Sequence, residues 1–371
     1  MKKNHLSKAR IINGILKRNQ RCNDFIMQNK FKQLLVIISL FLFTIQNQAQ
    51  EYYSDTFSEI ESMLVNTSSL EFKKAVFLTE SAYLEGQLDE EIFNNMILFY
   101  TSICQSIAKS GNIEYTEHDK ETAMAQCATF LFMTDSIPIF IDKEKVTSTP
   151  FLYNHSDFAG QKNWSSMFVS TLIHTNKGNC HSLPYLYKII MDRLGYESHL
   201  ALAPNHMYIK ANNKKVGWYN IELTCSDFPT DAWYAASGYI HTDAIRNGIY
   251  MRALSDKEAV AMTLVDLAQG YQAKFGIEDG SFIIKCCDAA LKHFPKYINA
   301  MLLKAEILTE LYRESNSEEL FSQMTELYTH IHELGYRKMP QQMYTNWMNS
   351  LSVEDHNQGI KAILNPKTKL D

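Results

Sequence analysis

Apolar residues recur at spacings of three and four from Phe57 to about Phe132, in runs such as Phe72 to Leu78 and Phe93 to Phe99. That spacing marks one buried face of a helix, and it predicts an N-terminal helical region over 51–146. Thr147 to Lys162 interrupts the pattern with Pro150, Asn154 and Gly160, which reads as a loop into the next unit. After Gly178 the residues Leu183, Leu186, Tyr187, Ile190 and Leu194 define a helical face, with Gly195 as its C-terminal cap. The period then falls to two. Ser198 to Ala203 and His206 to Lys210 read as strands, Ala211 to Gly217 as a polar turn, and Trp218 to Leu223 as a third strand.

Beyond Tyr250 the helical period returns. Ser255-Asp256-Lys257-Glu258 has the form of a capping box for a helix through about Tyr271. Further helices are expected near Ser281 to His293, Ile298 to Arg313 and Glu318 to Leu334. The run Ala290, Phe294-Pro295, Ala300, Leu303 and Ala305 resembles a tetratricopeptide helix pair. A free-standing solenoid needs roughly three repeats, so 281–371 is expected to be a helical appendage packed on its neighbour. Between the two helical regions, 160–275 reads as a mixed unit, making the fold class α+β.

Composition narrows the setting. With 371 residues, 46% of them hydrophobic, the chain can bury a normal core and is too long for one minimal domain. The formal net charge of -5 argues against a nucleic-acid partner, which needs clustered Lys and Arg. Residues 1–33 differ from the rest: they are rich in Lys and Arg, with Asp24 as their one acidic residue, and the apolar stretch Leu34 to Ile45 follows. That stretch is too short to cross a hydrocarbon core of roughly 30 Å, which takes about 20 residues. It matches the apolar region of a secretory signal within 1–50, with Ala49 as a cleavage point and Met27 as an alternative start. The expected location is outside the cytoplasm, periplasmic or secreted, with no stable membrane span once the signal is removed. Retention of the signal would instead give a membrane-anchored assembly factor.

Cys104, Cys127, Cys180, Cys225, Cys286 and Cys287 follow Ala49; they form no C-x-x-C pair and no His/Cys cluster of zinc spacing. No metal and no cofactor is therefore expected. Adjacent Cys286 and Cys287 lie in an apolar helical pattern and read as small core residues.

One cysteine stands apart. Gly178-Asn179-Cys180-His181-Ser182-Leu183-Pro184 places Cys180 where a glycine turn enters an amphipathic helix, and unpaired N–H groups at a helix start favour a thiolate. If the strands 206–210 and 218–222 pair around a turn centred on Lys214, His206 stands opposite Glu222, Tyr208 opposite Asn220 and Lys210 opposite Trp218. A carboxylate so placed can orient the imidazole as the third member of a nucleophilic triad. Asn220 is the alternative orienting group. His181 is adjacent to Cys180 and does not face it, and His174, His199 and His241 read as structural. The Cys180 N–H is the natural oxyanion donor, with Trp164 as a possible second.

This order, Gly-x-Cys at a helix start, His at a strand start and Trp-x-x-x-acid in the strand after a short turn, resembles the transglutaminase-like superfamily of papain-related cysteine enzymes, in an exported bacterial branch with tetratricopeptide-like helices. The resemblance spans Trp164 to Phe275. It implies Cys180 as nucleophile, His206 as general base and acid, and Glu222 as orienting carboxylate. One departure is plain: Glu222-Leu223-Thr224 stands where the family usually has Asp-Pro. The resemblance further implies a hydrolase or acyltransferase acting on an amide in a peptide, a protein or a cell-wall fragment. The alternative is a non-catalytic binding or scaffold module that holds a protein partner through its C-terminal helices.

Overall fold

In the computed structural model, which describes residues 49–110, 114–141 and 144–350, a helix over 49–64 comes first and three more lead the chain into its mixed region. They are α1 (Phe72–Tyr83), α2 (Glu90–Lys109) and α3 (Lys120–Thr134). Asp89 starts α2 by accepting from the Ile92 N–H at 2.9 Å, which satisfies one of the orphan donors of a first turn. A short hairpin of β1 (Pro138–Ile141) and β2 (Glu144–Thr147) follows, a strand pair inside the span expected to be helical. Residues 1–48, which hold the apolar stretch Leu34 to Ile45 of the expected secretory signal, lie outside the described residues, and among those described no helix is long and apolar enough to cross a membrane.

The expected loop from Thr147 to Lys162 contains a further strand, β3 (Leu152–Tyr153). It pairs in parallel with β4 (Lys177–Gly178), and Asn154 N–H extends the pairing to Gly178 O at 2.7 Å. This tether fixes the backbone just ahead of Cys180. Between the two strands run a 3-10 turn, Trp164–Met167, and the short helix α4 (Val169–Thr175). The N-terminus of α4 is held by Glu80 of α1, whose carboxylate accepts from Val169 N–H at 2.6 Å and Ser170 N–H at 2.9 Å. Burial raises the Glu80 pKa to about 7, against those hydrogen bonds.

Helix α5 (Ser182–Leu194) is central. Its apolar residues from Leu183 to Met191 are buried against α2, α3 and the three-stranded antiparallel sheet β5 (His199–Ala203), β6 (His206–Asn213) and β7 (Gly217–Ile221). Gly195 ends α5 at φ +81°, a conformation glycine adopts without strain. Lys188 is buried in α5, and its ammonium donates to Asp256, Asp192 and the Ser198 carbonyl at 2.7, 3.0 and 3.3 Å.

After the sheet come α6 (Asp231–Ser237) and α7 (Thr242–Arg246), then α8 (Asp256–Phe275), which begins with the capping box of Ser255 and Glu258 and packs on α1. Helices α9 (Ser281–His293), α10 (Ile298–Ser315) and α11 (Glu318–Glu333) pack in succession, with Cys286 and Cys287 fully buried. A last helix, α12, spans Gln341–Ser350. The described chain is thus helical with small sheets, an α+β arrangement.

Candidate active site

Cys180 sits in the turn between β4 and α5. Asn179 organises that turn: its side-chain oxygen accepts from the N–H groups of His181 and Ser182, both at 3.0 Å, and its amide donates to Phe158 O and Ser166 O. Among the described residues the Cys180 N–H makes no hydrogen bond, so this donor remains available, on a residue that is 9% exposed. Gly178 permits the close approach. A Cβ there would stand 2.8 Å from Leu172 Cδ1, 2.8 Å from Ser182 Oγ and 3.1 Å from Leu183 Cγ. Gly178→Ala is therefore expected to destabilise the fold by about 1–3 kcal/mol through overpacking. Urea denaturation measures it, and an unchanged midpoint would mean the Cys180 turn gives way freely.

His206 opens β6 directly after the two-residue turn Pro204-Asn205, in which Asn205 takes φ +53° and Ala203 pairs with His206. Its Nε2 lies 2.6 Å from Glu222 Oε2, and neither side chain has exposed surface. Glu222 in turn accepts from Tyr234 Oη at 2.6 Å, from Thr224 Oγ1 at 2.7 Å and from Thr224 N–H at 3.0 Å. All of these bonds favour the ionised carboxylate. Burial alone would raise the Glu222 pKa, and His206, Tyr234 and Thr224 together bring it below its ordinary value. For His206 burial acts downward, yet Glu222 and the neighbouring Cys180 outweigh it and lift the pKa to about 10. With Nε2 given to Glu222, Nδ1 is the nitrogen left to face Cys180; it makes no hydrogen bond of ordinary geometry.

The structure brings Cys180, His206 and Glu222 together by a register different from the expected one. Strand β6 runs on to Asn213, and Lys210 pairs with Asn220 and Asn212 with Trp218, so the turn centres on Lys215 rather than Lys214. The physical cause is Asn213, whose side chain accepts from Lys215 N–H and Val216 N–H at 3.0 Å while Gly217 takes φ +76°. The slip is two residues, which preserves the face of every side chain. His206 is therefore not directly opposite Glu222; the carboxylate stands just past the end of β7, where its backbone bridges Asp227.

Asn220, the alternative orienting group, is engaged elsewhere: it donates to Pro229 O and Asp231 and accepts from Lys210. His181 bonds Met167 O and Asp266, and although burial lowers its pKa, Asp266 raises it to about 8 overall. His199 bonds Leu254 O, and His241 caps α7. Trp164 lines the same cleft as Cys180. Among the described residues no group of His, Cys, Asp or Glu has metal-binding geometry.

Several residues of the site escaped the sequence reading. Tyr234 and Thr224, which hold Glu222, lie in a segment where no element was expected. The signal was present in Thr230-Asp231-Ala232-Trp233, since Thr230 caps α6 by accepting from Trp233 N–H. A cleft of about 820 Å³ opens over Cys180 and His206 and runs toward Tyr297, Tyr328, Arg337 and Lys338. Tyr344 of α12 lines it, and Trp347 of α12 stands edge-on to the His206 ring at 5.0 Å between centroids. Burial raises the Tyr153 hydroxyl pKa, with the nearby Cys180 thiol adding to the effect.

No family model and no curated protein sequence matches the chain. Among solved structures it is similar to a crystal structure of menin that reveals the binding site for the Mixed Lineage Leukemia (MLL) protein, with a TM-score of 0.43 and 14% identity. The match covers 80% of this chain and 65% of menin, so the chain spans less than two thirds of that protein's length. A likeness at that level settles neither fold nor function.

Proposed function

We propose that the protein is a cysteine-dependent acyl-transfer enzyme, with α5 and the sheet β5–β7 as a transglutaminase-like core. The observation that carries the reading is a fully buried His206–Glu222 pair beside Cys180 at the wall of a large cleft. A buried imidazolium held by a carboxylate is a suitable partner for a thiolate, and it is the acid needed when an amine departs. In the first half-reaction Cys180 Sγ attacks the carbonyl carbon of an amide. The Cys180 N–H faces the developing oxyanion, the C–N bond breaks, His206 gives its proton to the leaving amine, and a thioester remains. Water then attacks the thioester, His206 accepts a proton from it, and the acid product leaves Cys180 free. Glu222 keeps the imidazole oriented throughout, and Tyr234 and Thr224 keep Glu222 in place. The substrate would be a peptide, protein or cell-wall amide, met outside the cytoplasm on the strength of the N-terminal charge pattern.

One observation favours a second reading, a binding module without catalysis: Trp347 packs on the His206 ring, and His206 is only 4% exposed. Intact-protein mass spectrometry after reaction with p-nitrophenyl acetate separates the two. The enzyme reading expects an acetyl adduct that maps to Cys180 and is absent from Cys180→Ala. No adduct at Cys180, in either the intact protein or its Trp347→Ala variant, would sink the reading in favour of binding.

A further inference from the structure

Part of the cleft wall is built by helix α12, beside Cys180 and His206. Helix α12 turns one edge toward it: Tyr344 and Trp347 are three apart and so share a face, while Gln342, Met343 and Asn346 are exposed. Trp347 is 2% exposed, its ring meeting the His206 imidazole at 67°. Such a steeply inclined approach is a favoured geometry between aromatic rings. Tyr344 lies within 6.4 Å of Phe158, another wall of the cleft, and burial and the nearby Cys180 both raise its hydroxyl pKa to about 12. Two aromatic side chains of one polypeptide segment therefore sit where a substrate of the proposed reaction has to lie, one against the base and one beside the nucleophile.

We infer that the substrate is a polypeptide segment bearing an aromatic side chain, and that α12 occupies its place, with the Trp347 indole filling the substrate's aromatic subsite over His206. This inference rests on the acyl-transfer reading. The subsite is walled by His206, itself a wall of the cleft, so an aromatic ring gains burial there that an aliphatic amide of the same length cannot match. Because α12 belongs to the chain, it competes at high effective concentration, and substrate reaches Cys180 only in the fraction of molecules whose α12 has moved aside.

The test compares alkylation of Cys180 in the full-length protein by N-benzyl iodoacetamide and N-methyl iodoacetamide, mapped by mass spectrometry. In each case Sγ displaces iodide from the CH2 carbon and forms a thioether, so the two probes differ only in their side group. The unaltered protein is expected to react slowly with both and without preference. Trp347→Ala is expected to react faster, with the benzyl probe favoured by about 10-fold and slowed by added N-acetyl-tryptophanamide. Trp347→Phe, which keeps a ring in the subsite and guards against a folding artefact, is expected to stay slow. Equal rates in Trp347→Ala and the unaltered protein would overturn the occupancy of the site by α12, and acceleration of both probes alike would overturn the aromatic subsite. Failure of the acyl-transfer reading looks different: no acetyl adduct forms on Cys180, while the benzyl preference persists.

Discussion

Replacing His206 by Ala is expected to lower the rate of iodoacetamide alkylation at Cys180 by about 100-fold near neutral pH, the usual worth of a positioned acid–base group. The reason is charge. The imidazole is lifted to a pKa of about 10 by Glu222 and Cys180 against the opposing effect of burial, so at neutral pH it stands beside the thiol as a cation. The thiolate is the species that reacts, and a neighbouring cation stabilises the charge on the attacking sulfur. Because Trp347 rests on the His206 ring, losing the ring also loosens the cover, which acts in the opposite direction. The comparison is therefore made in the Trp347→Ala background, where access is the same in both proteins. Equal rates with and without His206 would show that the histidine does not act on Cys180.

Glu222→Ala is expected to cost about 3–5 kcal/mol of stability, because it strands a buried cation and leaves the Tyr234 hydroxyl without its acceptor. Glu222→Gln keeps the shape and removes the charge, and its deficit should depend on pH. The His206 pKa rises from 6.5 to about 10 on folding, so its contribution is complete below about 6.5 and disappears as pH climbs through 10. Glu222 moves below its ordinary 4.5, so its contribution is complete above about 4.5 and is lost as pH falls through the folded value. The gap between the native protein and Glu222→Gln in urea denaturation should thus be widest between pH 4.5 and 6.5 and should narrow toward pH 10. A gap independent of pH would mean that the pair is not ionised in the fold.

How much of this was legible beforehand depended on the range over which each feature is decided. Helix α9 begins at Ser281 and ends at His293, as the apolar spacing predicts, because an amphipathic face and its ends are written locally. The Ser255–Glu258 box is of the same kind. The β6–β7 register was read two residues short, since a single Asn213 side chain decides where the turn begins and the alternation pattern does not record it. The side-chain faces survived because the error was even. Tyr234 and Trp347 could not be assigned to the site from spacing, as each reaches it through packing: Tyr234 stacks on Tyr208 at 4.1 Å, and Trp347 arrives from the far end of the chain.

That distance along the chain has a consequence in time. Cys180, His206 and Glu222 are made within one short stretch, whereas Trp347 comes much later. At about 5–20 residues per second, the interval between Glu222 and Trp347 is roughly 6 to 25 seconds. For that period a newly synthesised chain holds the three residues of the proposed site before the indole that packs on His206 has been made, so the youngest chains are the ones whose thiol is expected to be least protected from oxidants and electrophiles.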